Sequence, residues 1–192
     1  MLSCNETQER LSAIASLQLT RNEPLSRHTR FGLGGPARLF ADTTEEGAFL
    51  EALCVARDSS LPWLVIGLGT NLIVSDEGFS GVVIRFRGAG ICQQEQTVSV
   101  QAGAVLQDLI DYTIGRGLQG LEVMTGIPGN VGAAIYGNAG AYGASMADRV
   151  ARVRYFDGEA VRTAGREGCG FRYRDSVFKQ ERLAGRPLLI VS

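Results

Sequence analysis

Six glycines punctuate the stretch at residues 126–143, GIPGNVGAAIYGNAGAYG. Ile127, Val131, Ile135, Tyr136 and Tyr142 sit between them. A Gly/Ser linker stays solvated because it has nothing apolar to bury, so this stretch is not a linker. Glycines fixed among buried side chains mark backbone that must take φ > 0 or let another group come close. Runs of exposed N–H groups in such backbone form anion-binding concavities, and phosphate is the usual guest. A tightly turning core loop without a ligand accounts for the same residues equally well.

The chain has 192 residues, enough for one large domain or two small ones. Apolar residues make up 45% and charged residues 20%, the balance of an ordinary globular protein. A net charge of −1 gives no global basic field for nucleic acid or an acidic membrane surface. No apolar run is long enough to span a bilayer, and the first residues lack the basic start and unbroken apolar core of a signal peptide. Cys4, Cys54, Cys92 and Cys169 are scattered with no C-x-x-C pair. That argues against zinc and against a disulfide framework, and predicts a reducing, cytoplasmic setting. Lys179 is the only lysine, which excludes a P-loop with its Gly-Lys-Ser/Thr. His28 is the only histidine and sits in the polar segment SRHTRFG, expected at the surface or in a turn. A Ser-His-Asp triad or a histidine-ligated metal would have to use it, so hydrolase and metal-centre chemistry are poor readings and no metal is expected.

Periodicity predicts a helix over residues 5–17, capped by Asn5, with Leu11, Ile14 and Leu17 on one face. A strand follows near residues 37–41. Thr43 and Glu46 have the spacing of a capping box for a helix that faces inward through Phe49, Leu53 and Ala56. PWLVI at residues 62–66 reads as a buried strand, and residues 72–75 and 81–86 as further short strands. Residues 97–102 alternate like a strand. Residues 104–114 are helical, with Leu106, Leu109, Ile110 and Thr113 on one face. VARVRYF-DG-EAVRTA reads as a hairpin closed by a type I′ Asp-Gly turn. PLLIVS looks like a strand at the point where the sequence stops. A boundary near Arg87 separates a β-α-β-rich lobe, residues 1–86, from a mixed lobe, residues 87–192.

Three segments invite chemistry. GLGTNLIVSDEG, residues 67–78, resembles the dinucleotide fingerprint G-x-G-x-x-G, but Leu72 stands at the third glycine and Leu-Ile-Val follows instead of a helix. A Rossmann site rests the pyrophosphate on a helix N-terminus. Here the N–H groups of Gly69, Thr70 and Asn71 would cradle an anion alone, with the Thr70 and Asn71 side chains adding bonds; a plain β-turn is the other reading. Two glycine-rich loops supply donors for both groups of a diphosphate, which points to a dinucleotide bound without a Rossmann fold. FRYRDSVFK gathers Arg172, Arg174 and Lys179 around Asp175 and Ser176. As a strand it would put Arg172 and Arg174 on one face, suited to a substrate carboxylate. A solvated basic face with an internal Arg–Asp pair suits it as well.

Four segments occur in order: RHTRFGLGGPARLF, VIGLGTNLIVSDEGFSGVVIR, GLEVMTGIPGNVGAAIYGNAGAYG and FRYRDSVFK. Together they resemble the UDP-N-acetylenolpyruvoylglucosamine reductase family, over nearly the whole chain from about Leu25. The resemblance implies an α+β, two-lobed FAD-binding fold of the vanillyl-alcohol-oxidase type. It implies non-covalently bound FAD, NADPH as co-substrate, a UDP-sugar substrate and a place in peptidoglycan precursor synthesis. By match, Gly67, Gly69, Thr70, Asn71 and Leu72 hold the cofactor from the first loop. Pro128, Gly129, Val131, Gly132, Ala133, Ala134, Asn138, Gly140, Ala141 and Gly143 hold it from the second. Arg174 matches the family's catalytic arginine, and Tyr142, Tyr173, Arg174 and Lys179 fall at substrate-binding positions.

The family pattern continues into a third, substrate-binding domain with a proton-donating serine in a segment like G-(N)-A-G-S-x-F-K-N-P and a late glutamate. Neither segment occurs in these residues. GNAGAYG belongs to the flavin motif, with Ala141 where the serine would stand, and Ser176 is not that donor either. The expectation is an FAD-binding part that does not turn over by itself. The alternatives are another flavin oxidase or dehydrogenase of this fold, against which YRDS-x-FK argues, and a flavin-binding module without chemistry.

Overall fold

The computed structural model describes residues Met1–Ser192, which form two compact units, Met1–Gly88 and Ala89–Ser192.

In the first unit, helix α1 (Cys4–Ala13) starts at Ser3, not Asn5. Ser3 and Glu6 form a reciprocal capping box, satisfying two orphan N–H groups at once. Strand β1 (Gln18–Pro24) pairs antiparallel with β2 (Pro36–Thr43). Its half-exposed, charge-bearing residues give β1 no apolar alternation in the sequence. Helix α2 (Glu46–Asp58) buries Phe49, Leu53 and Ala56 as expected. The predicted Thr43–Glu46 box does not form. Thr43 ends β2, donates from Oγ1 to the Ser16 carbonyl and accepts from the Glu45 N–H. Strands β3 (Trp63–Ile66) and β4 (Phe79–Phe86) complete a sheet ordered β1-β2-β4-β3, with β2, β4 and β3 parallel. Phe49 stacks on Phe86 on one face. Leu25, Ala37, Phe40, Ile66 and Val83 form a core cluster of this unit.

The predicted strand over residues 72–75 is irregular chain without a ladder. Its apolar residues Leu72 and Val74 pack on that core cluster, which explains the strand-like composition. Its Ser75 carbonyl accepts from Gly35 N–H.

The second unit opens with the hairpin β5 (Ile91–Gln94) and β6 (Thr97–Val100). Helix α3 (Leu106–Gly115) buries Leu106, Leu109, Ile110 and Thr113, the predicted face. Residues 131–136, read only as glycine-rich chain, form a short helix α4 (Val131–Tyr136). Its Val131, Ala134 and Ile135 join a core with Met124, Val153 and Phe178. Strands β7 (Gly140–Ala141) and β8 (Ala144–Ser145) make a two-residue hairpin. Strand β9 (Arg152–Phe156) pairs with β10 (Val161–Gly165), the predicted hairpin. Four residues connect them, not two. The Asp157 carboxylate caps the turn by accepting from the Glu159 and Ala160 N–H groups, and this favours the longer loop. Helix α5 (Val177–Leu183) and strand β11 (Leu189–Ile190) follow, β11 pairing with the other edge of β9.

Candidate functional site

The first loop follows β3. Gly69 has φ +60°, and a Cβ there would lie 2.0 Å from the His28 carbonyl oxygen. Only glycine admits both the left-handed backbone and that close approach. The Gly69 carbonyl accepts from Arg30 N–H. The Gly69 and Asn71 N–H groups donate to nothing in the protein, and Asn71 is exposed. They are therefore free for an anion. Thr70 lies between them, half-buried, and Gly67 begins the loop. Leu72 is different: its side chain packs on the Phe40 core cluster, so its contribution to the loop is anchorage.

His28, expected at the surface, is largely covered. Its ring stacks on Phe40 with centroids 4.2 Å apart. Nδ1 lies 3.0 Å from Arg85 Nη1 and Nε2 3.0 Å from Glu23 Oε1. A guanidinium only donates, so Nδ1 accepts and Nε2–H donates to Glu23. Arg85 in turn grips the buried Asp42 carboxylate with two bonds, 2.9 and 3.2 Å, and Arg87 adds a second guanidinium to it. This network backs the segment that touches Gly69. Residue types alone gave no signal for it, because its members are spread from Glu23 to Arg87.

The glycine-rich stretch in the second unit divides into parts with different work. Gly129 has φ +130°, and its carbonyl accepts from Leu106 N–H. Pro128 beside it is exposed. The Asn130 side chain donates to the Gly103 carbonyl at 2.6 Å, pinning the start of α4 to the α3 entry loop. Val131 N–H and Gly132 N–H donate to Ala104 O and Ala102 O, both at 2.9 Å. Those two amides are thus committed to the protein. Gly132 is required by packing, since a Cβ there would lie 2.9 Å from the Ala102 methyl. Val131 and Ala134 face the core, and Ala133 is exposed.

The stretch ends in a turn that presents a tyrosine. Tyr142 and Gly143 link β7 to β8 with φ +51° and +84°. Positive φ at both central residues is the signature of a type I′ turn. The Tyr142 side chain projects from its tip, 95% exposed.

FRYRDSVFK is a turn followed by a helix, not a strand. Arg172 N–H donates to Asp175 O at 3.0 Å and Asp175 N–H to Arg172 O at 3.2 Å, leaving Tyr173 and Arg174 at the tip. Arg172 and Arg174 therefore do not share a strand face. Arg174 takes φ +54°, a position that glycine or asparagine ordinarily fills. Tyr173 is 91% exposed. Arg174 does not make the internal Arg–Asp pair of the alternative reading. Arg174 Nη2 donates to the Gly140 carbonyl, 3.2 Å away, while the Asp175 carboxylate accepts from Gln180 Nε2. That bond, then the Ser176 N–H and the nearby cations, holds Asp175 below the usual carboxylate range. Lys179 Nζ donates to the Arg174 carbonyl at 3.0 Å. Ser176, fully buried, caps α5 and donates from Oγ to the Tyr136 carbonyl at 2.7 Å.

The turn and the glycine-rich stretch are thus joined at alternate residues. Tyr136 O meets Ser176, Asn138 Nδ2 meets Arg172 O at 2.8 Å, and Gly140 O meets Arg174. Arg174 and Lys179 from one motif and Gly140 from the other come together in this unit, with Tyr173 beside Arg174 at the tip of the turn.

The FAD binding domain family model matches residues 37–164, more than half of the chain. The chain belongs to the FAD binding domain family. A UDP-N-acetylenolpyruvoylglucosamine reductase of Solibacter usitatus is 54% identical over 173 residues, covering 90% of this chain and 55% of that protein. The Bacillus subtilis protein of the same name is 38% identical over 165 residues, covering 84% and 54%. The chain therefore spans about half the length of the curated relatives it matches. Among solved structures, UDP-N-acetylenolpyruvylglucosamine reductase from Thermus caldophilus aligns with a TM-score of 0.69 at 31% identity, covering 91% of this chain and 59% of that one. Berberine bridge enzyme from Eschscholzia californica aligns with a TM-score of 0.60 at 15% identity, covering 82% and 37%; it shares the fold alone. The α+β FAD-binding domain of the vanillyl-alcohol-oxidase type, expected from the motifs, is the fold observed, and the expected resemblance to the reductases is borne out by these relatives.

Proposed function

We propose that this chain is the FAD-holding part of a cytoplasmic, NADPH-dependent reductase. That enzyme converts UDP-N-acetylenolpyruvoylglucosamine to UDP-N-acetylmuramate in peptidoglycan precursor synthesis. The observation that carries the reading is the Arg174–Gly140 hydrogen bond, which seats a guanidinium on the backbone of the glycine-rich stretch. The reductase-named relatives support it.

FAD fits the residues present, because a pyrophosphate needs donors that the protein leaves unused. The Gly69 and Asn71 N–H groups are such donors. In the second unit Pro128, Gly129, Ala133, Gly140, Ala141 and Gly143 offer backbone and small side chains that permit close approach of a planar ring. Val131, Gly132 and Ala134 shape that surface from behind. When bound, FAD would accept hydride from NADPH and deliver it to the enolpyruvyl double bond.

The chain's own residues bind and stabilise. Arg174 holds the substrate carboxylate and offsets the negative charge that grows there as an enolate forms. A fixed donor aimed at developing charge is worth about 3–4 kcal/mol of barrier. Lys179 fixes the Arg174 backbone through its carbonyl, so the guanidinium is placed before substrate arrives. Tyr142 and Tyr173 offer two exposed aromatic faces to the nucleotide sugar. The proton that completes the reduction comes from outside these residues.

Titration of the 192-residue protein with FAD tests the reading. Bound flavin should bleach on adding NADPH, and acid precipitation should release it to the supernatant. Failure to bind flavin, or flavin retained in the acid pellet, overturns the proposal.

A further inference from the structure

Asn138 lies in the middle of the contacts between the two motifs. It is 7% exposed and takes φ +41°. Asparagine is one of the few residues other than glycine that tolerates this backbone. Its amide is used at both ends. Nδ2–H donates to the Arg172 carbonyl at 2.8 Å, and Oδ1 accepts from the Ala147 N–H at 3.0 Å. Arg172 begins the turn with Tyr173 and Arg174 at its tip. Ala147 follows the hairpin with Tyr142 at its tip. One planar amide thus links two turns that carry three exposed groups, and both turns hold a residue other than glycine at φ > 0. Conformations of that kind cost of order 1–3 kcal/mol each and persist only where surrounding bonds hold them.

We infer that Asn138 is a positioning residue: its side-chain amide sets the Arg174 turn against the Tyr142 hairpin, in place of the direct cofactor contact that the family resemblance implied for it. This rests on the role given to Arg174 above. The geometry leaves the amide little else to do, since one N–H and the oxygen are taken by backbone groups that would otherwise be left without them. No aliphatic residue supplies a donor and an acceptor from one plane. Aspartate keeps the acceptor for Ala147 N–H but turns a second acceptor toward the Arg172 carbonyl. Glycine keeps the backbone conformation and removes both bonds.

The test uses the 192-residue protein without ligand, so it stands apart from the assignment of substrate. Hydrogen exchange is followed at the Arg172 and Asp175 amides, which close the turn, and at the Val153 and Tyr155 amides in β9. In Asn138→Asp and Asn138→Gly the turn amides should lose protection by about tenfold or more, the scale of one lost buried hydrogen bond. The β9 amides should keep theirs. Unchanged protection at Arg172 and Asp175 overturns the inference. A fall in FAD affinity with the turn intact overturns it in favour of direct cofactor contact. Loss of protection throughout β9 in both variants overturns it in favour of a general fold role. Absence of flavin binding in the unsubstituted protein would instead count against the FAD reading, while the exchange result still decides the positioning role.

Discussion

Arg174 Nη2 lies 3.2 Å from the Gly140 carbonyl oxygen, and Arg174 itself has φ +54°. An exposed arginine thus holds a strained backbone while its guanidinium rests on a residue far away in sequence. Left-handed backbone costs roughly 1–2 kcal/mol for an ordinary residue. An exposed hydrogen bond returns about 0.5–1.5 kcal/mol. Stability does not explain the arginine.

Arg174→Gly should therefore leave the melting temperature nearly unchanged, because relieved strain offsets the lost bond. If the proposed reductase activity holds, the same substitution, and Arg174→Ala, should slow flavin reoxidation by the enolpyruvyl substrate by about 10²–10³. Flavin reduction by NADPH should be much less affected, since no enolate forms there. Arg174→Lys should not restore the rate, because an ammonium lacks the planar fork. Stopped-flow measurement of the two half-reactions checks this; equal slowing of both points to a structural role.

Gly69→Ala should damage the first loop. The added methyl meets the His28 carbonyl at 2.0 Å and the backbone is left-handed, so the loop must move. A cost of roughly 1–3 kcal/mol is expected, with loss of FAD affinity. Gly47→Ala is the control, since a Cβ there meets nothing and Gly47 lies inside α2. Chemical denaturation and flavin titration of both variants separate the two.

Asp157 gives the β9–β10 hairpin a pH signature. Arg162, then the Ala160 and Glu159 N–H groups, bind its carboxylate and hold it far below the usual range. A depressed folded-state pKa means that the contribution is complete above the unfolded value, about 3.9, and is lost as pH falls below it. Asp157→Asn should remove this acid-side dependence. Chemical shifts of the Glu159 and Ala160 amides between pH 6 and pH 2 report it; a midpoint near the unfolded value would contradict the capping.

Thiol labelling should rank the cysteines by cover. Cys92 is exposed, whereas Cys169 is buried and its thiol is pushed up by burial. Cys92 should react on the order of a hundredfold faster in native buffer, with the gap closing in denaturant. Mass spectrometry of timed labelling checks the order.

Local sequence determined the elements whose signals lie within a few residues. The inward face of α3 and the β9–β10 hairpin follow from spacing and local turn chemistry. The motifs were legible for the same reason, since unusual residues at fixed offsets show in a linear string. Tertiary structure decided what those offsets could not carry. FRYRDSVFK would put Arg172 and Arg174 on one face if it were a strand, yet the Arg172–Asp175 backbone bonds and the Ser176 cap fold it into a turn and a helix. Leu72 and Val74 look like strand residues because a core cluster takes them, without any ladder. Asn138 carries no sequence signal for its task, since its partners Arg172 and Ala147 are brought to it only by packing of the core around α4. Hydrogen-bond partners distant along the chain are set by that packing, so the residue types could be read in advance but their pairing could not.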